Sequence, residues 1–405
     1  MEKERHSGQI DQAVGAVRGT NQSGVRAHNE RLVLSLLRQK GPLAKAELAR
    51  LTGLSAQAVS VIMRGVEADG LIKKGNPVRG KVGQPSIPME LVPGGAFFLG
   101  LKVGRRSLDL ILTDFLGNIR SRVYLTHKYP TPDGVVLFAG HGISQLLEQL
   151  TPEERTRVAG LGIALPFRLW DWAGVLGVNK SDMEDWRDRD IRAEIEARWD
   201  FPVFLQNDAS AACGAELVFG NSDRPSDFLY FFIGFFVGGG LVLDNALYTG
   251  KSGNAAAVGS MPIGRRGGKM LQLVDVASLS CLETAMAHRG LTADAIWSNP
   301  ASWQIPQGMI DEWIDTASDG LAFSIASSAS LIDFSCVMID GWLPDAVRDD
   351  LVAATHAKLD SINTAGIVVP DVRAGSIGSD ARALGAASLP LSQRFLVDRN
   401  ALING

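Results

Sequence analysis

Gly100-Leu-Lys-Val-Gly-Arg-Arg-Ser107 and Gly234-Phe-Phe-Val-Gly-Gly-Gly240 are the two stretches whose reading decides the fold. The first joins apolar runs at 97–103 and 108–113, which read as strands, with a third strand at 119–126 after the turn Asp114-Phe-Leu-Gly-Asn118. The second stretch lies within 228–248 and repeats the theme: strand, glycine-rich turn, strand, then a turn at Asp244-Asn245. Such duplication argues for two lobes with a cleft between them. The same stretches argue against a chemistry. A turn that cradles nucleotide phosphates offers backbone N–H groups to the anion, with a carboxylate close by for the metal. Lys102, Arg105, Arg106, Phe235 and Phe236 occupy these turns instead. Lys102 would repel Mg²⁺, which takes oxygen ligands, and the phenyl rings would hold a phosphate off the backbone. Phosphoryl transfer depends on positioning and charge neutralisation, so it is not expected here. Two readings of Lys102, Arg105 and Arg106 stay open: surface ion pairs, or a site for a phosphorylated ligand.

Outward from these stretches, a helix is expected over 134–150 and strands over 158–165 and 201–205, separated by helical segments. The 405 residues allow two or three domains, each with its own core, and 46% hydrophobic with 21% charged residues is the composition of a globular chain. Charge is unevenly spread. Residues 1–90 hold fourteen Lys or Arg against eight Asp or Glu, a net +6, whereas the rest holds twenty-six against thirty-six, a net −10. A basic head on an acidic body points to a polyanion partner for the head alone. Cys213, Cys281 and Cys336 are far apart and odd in number, which excludes a disulfide framework and fits a reducing compartment, the cytoplasm. No run approaches the roughly 20 apolar residues of a membrane span. Residues 1–20 lack the apolar stretch of a secretory signal and are expected to be a flexible arm.

In the head, Val25, Leu32, Val33, Leu36 and Leu37 recur at helical spacing up to Gly41-Pro42. A short helix is expected over 45–52, broken at Gly53, and Ser55 is a natural N-cap for a third helix over 56–68. Val59, Ile62, Met63 and Val66 form its inner face. Gln57, Ala58, Ser60, Val61 and Arg64 are left on its other faces. Helix, tight turn, capped helix is the helix-turn-helix arrangement, in which the last helix enters the major groove. Leu71-Ile-Lys-Lys-Gly75 and Arg79-Gly-Lys81-Val-Gly-Gln84-Pro85 read as a β-hairpin wing rich in cations. Lys73, Lys74, Arg79 and Lys81 suit phosphates or the minor groove. The expected DNA-contacting set is therefore Ser55, Gln57, Ala58, Ser60, Arg64, Lys73, Lys74, Arg79, Lys81 and Gln84.

These motifs, in this order, resemble transcriptional regulators of the ROK family (repressor, open reading frame, kinase). The resemblance covers nearly everything from residue 21 onward. It rests on Gly53-Leu-Ser55, Gly83-Gln84-Pro85, Gln206-Asn207-Asp208-Ala-Ser-Ala-Ala212, the turn at Gly238, Lys251-Ser-Gly253, Cys281-Leu282-Glu283 and Asp340-Gly341. It implies a winged helix-turn-helix followed by a two-lobed actin-like ATPase, or sugar-kinase, fold. By the resemblance, Asn207 and Asp208 bind sugar hydroxyls, Asp208 being the general base in kinase members. Carboxylate and amide together supply acceptor and donor to vicinal hydroxyls. Asp208 also has the option of capping a helix that begins at Ala209. Glu283 matches a further sugar-binding glutamate, and Ser280-Cys-Leu-Glu283 equally fits a capping box. Asn179, in the loop 166–180, is a weaker candidate ligand. Two departures matter. Where the family carries Gly-Glu-x-Gly-His, this chain has Asn254-Ala-Ala-Ala257-Val-Gly259-Ser260, so a sugar-contacting Glu is Ala257 and a zinc-ligating His is Ser260. Of three zinc cysteines only Cys281 remains, and one thiol without a nearby histidine makes no four-ligand site.

The expected organisation is an arm over 1–20, the winged head over 21–92, lobe 1 over 93–205, lobe 2 over 206–380, and a C-terminal helix over 381–405 that returns to lobe 1. The expected function is a sugar-responsive repressor of carbohydrate genes, with neither catalytic residues nor cofactor nor metal. Its partners would be a palindromic double-stranded DNA operator and a small sugar effector, with no membrane, and it would act as a homodimer or homotetramer. The rivals are a sugar kinase with an appended DNA-binding head, and a ligand-independent regulator with a vestigial pocket.

Overall fold

A computed structural model of the chain describes residues 22–77, 86–167, 169–172, 179 and 181–397. The expected arm at 1–20, the wing residues Arg79, Lys81 and Gln84, and the chain after 397 lie outside the described residues.

The head contains α1 (Gln22–Lys40), α2 (Lys45–Thr52) and α3 (Ala56–Ala68), with a three-stranded antiparallel sheet of β1 (Leu43–Ala44), β2 (Ile72–Lys74) and β3 (Pro88–Leu91). Local chemistry accounts for the turn between α2 and α3. Gly53 closes α2 at φ 70°, a left-handed conformation that glycine adopts without a Cβ penalty. Ser55 then accepts a hydrogen bond from the Ala58 N–H at 3.2 Å. The buried face of α3 is Val59, Ile62, Met63 and Val66, as its spacing requires. They pack with Val33, Leu34 and Leu37 of α1 and with Ile72, Met89 and Leu91 of the sheet.

The body holds two five-stranded sheets built to one plan. In the first, β4 (Phe97–Val103), β5 (Ser107–Thr113) and β6 (Ile119–Thr126) are antiparallel neighbours, and β7 (Val158–Leu165) and β8 (Val203–Asn207) add in parallel, in the order β6-β5-β4-β7-β8. In the second, β9 (Phe228–Ile233), β10 (Gly238–Leu243) and β11 (Ala246–Tyr248) are antiparallel, and β14 (Cys336–Gly341) and β15 (Asp371–Ala374) add in parallel, in the order β11-β10-β9-β14-β15. A small hairpin of β12 (Pro262–Arg266) and β13 (Lys269–Gln272) stands outside both sheets. Strand β8 ends two residues later than its apolar run suggests, because Gln206 and Asn207 continue the parallel ladder with β7.

Two helices, Asp208–Phe219 and Ala381–Phe395, pack against each other between the sheets. Their approach is close enough to explain several glycines. A Cβ on Gly385 would lie 1.9 Å from the Ala211 carbonyl oxygen, and one on Gly162 of β7 would lie 1.8 Å from that of Ala386. Gly100 of β4 and Gly240 of β10 serve the same end. A Cβ on Gly100 would meet the Ala383 carbonyl oxygen at 2.4 Å, and one on Gly240 the Cys213 Cβ at 2.3 Å. The end of the C-terminal helix also reaches the head, through an apolar cluster shared by lobe 1 and the head. Phe395 sits edge-on to Phe98 at 5.9 Å and to Phe115 at 5.1 Å, in one cluster with the head residues. The Val397 N–H donates to Ser35 of α1 at 3.1 Å.

Candidate ligand cleft and nucleic-acid face

The helix Asp208–Phe219 follows β8 of the first sheet without a break and packs on β10 of the second, so its first turn lies where the chain crosses between lobes. Asn207, rather than Asp208, is the cap: its Oδ1 accepts from the N–H groups of Ala209 at 3.1 Å and Ser210 at 3.2 Å. This corrects the capping role open to Asp208 and leaves that carboxylate for another partner. The partner is Arg382, in the first turn of the C-terminal helix, with Nη1 3.4 Å from Asp208 Oδ2. The two side chains are 12% and 15% exposed, and the Arg382 guanidinium lies 4.7 Å from the Phe232 ring.

Around this pair the end of β4 and the turn that follows it deliver cations. Lys102 is buried and donates to Ser107 Oγ at 2.7 Å. Burial, followed by the nearby Arg382, pulls its ammonium down to about 7, against the pull of Asp109 and Asp208. Burial likewise lowers Arg105, to about 10, and its guanidinium lies 4.1 Å from the Phe236 ring. Asp109 is held by Arg122 at 3.2 Å, and Arg122 also binds Asp380. His127 is pushed down to about 4, first by burial and then by Lys102.

Glu283 is not in a capping box. Its helix, Leu279–His288, starts after Ser278, and the carboxylate turns outward to ion-pair with Arg106 across the cleft. The other carboxylate oxygen accepts from Trp297 Nε1 at 2.8 Å. The Arg106 guanidinium is 5.3 Å from the Phe235 ring and 5.7 Å from the Trp297 ring. The two phenylalanines of the second stretch are thus platforms for guanidinium groups. Asn179 is exposed. The structure therefore brings Asn207 and Asp208 together, seats Glu283 against Arg106, and adds Arg382, Arg122, Asp109 and Trp297, which sequence reasoning missed. Arg382 carried a signal: it is the one charge in the small-residue run Ala381-Arg-Ala-Leu-Gly-Ala-Ala387. Among the described residues, no group of three or more His, Cys, Asp or Glu is placed to hold a metal. The Cys281 thiol instead contacts the Val274 carbonyl at 3.6 Å.

In the head, Ser55, Gln57 and Arg64 are exposed, and Ala58 and Ser60 are half-buried. Lys74 is exposed, and Lys73 reaches back to Glu90 at 3.2 Å.

A capped third helix beside a strand hairpin, joined to two duplicated lobes, defines a winged helix-turn-helix on an actin-like sugar-kinase fold. The chain belongs to the ROK family, whose profile it matches over 98–393; residues 26–73 match that of the winged helix-turn-helix DNA-binding family. The xylose repressor of Bacillus subtilis is 26% identical over 253 residues, 62% of this chain and 64% of that protein, so the chain aligns with under two thirds of this curated relative. Among solved structures, a ROK family transcriptional regulator described as a homologue of the E. coli MLC protein superposes with a TM-score of 0.68. It is 20% identical, covering 94% of this chain and 98% of that one. A ROK family glucokinase from Streptomyces griseus, solved with glucose and AMPPNP, gives 0.54 at 23% identity, over 73% of this chain and 99% of that one. At such identities the likeness is one of fold. Among the described residues no helix is long and apolar enough to cross a membrane.

Proposed function

We propose that this protein is a cytoplasmic DNA-binding repressor of carbohydrate genes, that a sugar or sugar derivative in the cleft is its effector, and that it has no kinase activity. The observation that carries the last point is the Asp208–Arg382 pair with Lys102 beside it. A general base must be free to take the proton of a sugar hydroxyl while a phosphoryl donor is held in line. Here the carboxylate is engaged by a guanidinium, and cations stand where a metal would need oxygen ligands. Asp208 can still accept hydrogen bonds from hydroxyls, and Asn207 keeps its amide donors once its oxygen has capped the helix.

The C-terminal helix joins the head to the cleft. Arg382 at its start faces Asp208, and Phe395 at its end lies in the apolar cluster that continues into the head. A ligand that changes the Arg382 end acts on a rigid element whose other end carries the head. In a homodimer or homotetramer this would reset the spacing of two recognition helices on a palindromic operator. The test is a gel-shift titration with the full chain and a sugar panel, alongside an ATP-turnover assay. Release of operator by a sugar, without turnover, is expected. Sugar-dependent ATP turnover that Asp208→Asn abolishes would establish the kinase reading instead.

A further inference from the structure

The helix that enters the major groove in the repressor reading, α3, buries Val59, Ile62, Met63 and Val66 but leaves Val61 47% exposed. A solvent-facing helix position is better filled by a straight-chain or small residue, because a β-branched side chain loses rotamer freedom against the preceding turn. Packing does not offset that cost, since Val61 lies outside the apolar cluster that holds the head together. Its neighbours one turn away along α3 are Gln57, Ala58, Arg64 and Gly65. Ala58 and Gly65 are too short to screen it, and Gln57 and Arg64 are exposed beside it. Beyond Gly65 the surface is that of α1, where Arg26 is paired with Glu30. No acidic side chain stands on α3 before Glu67, so nothing on this face repels a phosphate backbone. The face is thus amide at one end, guanidinium at the other and apolar in the middle. A single exposed valine is ordinary on most surfaces, but at the centre of a groove-reading face it meets base edges. The apolar group that the major groove presents there is the C5 methyl of thymine.

We propose that Val61 is a specificity-determining residue that reads the C5 methyl of one thymine in each operator half-site. Gln57 and Arg64 flank it. Gln57 suits adenine, through N6 and N7, and Arg64 suits guanine, through O6 and N7. One turn of α-helix rises about 5.4 Å, less than two base-pair steps of about 3.4 Å, so the thymine lies within two pairs of the base that Gln57 reads. Valine in a helix holds one χ1 rotamer, so its methyl groups are in place before contact and little freedom is lost on docking. The inference rests on the reading of this protein as a DNA-binding repressor and states part of the sequence it takes.

The experiment starts from the full chain and a pool of duplexes of randomised sequence, from which the bound duplexes are selected and sequenced. In the selected duplex each thymine is replaced in turn by deoxyuridine, which removes the methyl and keeps every hydrogen bond of the base. Gel shifts then give the affinities of wild type and Val61→Ala, with folding of the variant checked by circular dichroism. At one thymine per half-site the replacement should weaken wild type about fourfold, as loss of one buried methyl does, and about 16-fold when both half-sites are changed. Val61→Ala should bind the thymine duplex about as weakly as wild type binds the deoxyuridine duplex, and should not sense the replacement. A wild type indifferent to every replacement overturns the proposal, and so does a Val61→Ala protein that still loses about fourfold at the same thymine. In either case the selected operator leaves the repressor reading standing. A pool that yields no bound sequence removes both.

Discussion

Arg106, in the turn between β4 and β5, reaches across the cleft to ion-pair with Glu283, whose second oxygen accepts from Trp297 Nε1. The bridge ties the lobes at their mouth, and its side chains are 43% and 21% exposed. A pair so accessible to water contributes about 1 kcal/mol or less. Glu283→Gln should therefore lower the melting temperature only slightly. Its larger effect should be on the balance between closed and open lobes, seen as a greater radius of gyration in small-angle scattering of the ligand-free protein. An unchanged radius together with an unchanged effector response would show that the bridge does not govern closure.

Asp208→Asn removes a charge from the centre of the cleft while keeping its shape. The loss of a charge-assisted hydrogen bond to a ligand hydroxyl should weaken the effector by about 1.5–3 kcal/mol, roughly 10- to 150-fold. The measurement is the effector concentration needed for half release of operator in a gel shift. An effector midpoint within twofold of wild type would remove Asp208 from the ligand site.

The head makes two kinds of contact that substitutions can separate. Lys74→Ala should weaken binding to all DNA sequences alike and reduce the salt slope by about one unit, as loss of one phosphate contact does. Gln57→Ala and Arg64→Ala, on the exposed face of α3, should lower specificity, by about 1–3 kcal/mol where a bidentate base contact is lost. An unaltered salt slope for Lys74→Ala would place that lysine off the DNA.

Lys102 gives stability a pH signature. Its folded pKa is about 7 and its ordinary value 10.5. Between these values the unfolded chain holds a proton that the folded chain lacks, so this residue makes stability rise with pH from about 7 toward 10.5. Lys102→Met should remove that rise and should itself be more stable at pH 7, by ~1–4 kcal/mol. His127, lowered to about 4, acts in another window, costing stability as pH falls from 6.5 toward 4. Urea midpoints for both proteins at pH 5, 7 and 9 test the pair; parallel pH curves for wild type and Lys102→Met would contradict the first part.

Phe395→Leu keeps most of the apolar volume at the head end of the C-terminal helix and should cost less than about 1.5 kcal/mol of stability. It should leave the effector's affinity for the free protein unaltered while reducing how far that effector weakens operator binding. Full retention of the operator response would mean that the helix does not carry the signal.

The helix-turn-helix was legible because its determinants are local. The Gly53 break, the Ser55 cap and the spacing of Val59, Ile62, Met63 and Val66 act within one or two turns of chain, and α2 and α3 have the expected limits. The duplicated strand pattern was legible for the same reason, since alternation and glycine turns specify a meander without knowledge of its neighbours. Capping at the two site helices was not. Asn207 and Asp208 are both competent caps, and so is Ser280. The choice depends on where Arg382 and Arg106 arrive, 174 and 177 residues distant from their partners.

The sequence by itself determined the order of elements, the lobe duplication, the capped third helix of the head and the absence from both turns of residues suited to nucleotide phosphate. Those properties follow from short-range spacing and from side-chain chemistry that no fold can alter. Only the tertiary structure decided what the cleft contains. Packing of the C-terminal helix against Gly100, Gly162 and Ala211 places Arg382 beside Asp208, and the same packing buries Lys102. Burial then sets the charge of that lysine, because the cost of desolvating an ammonium depends on all that surrounds it and not on its place in the chain.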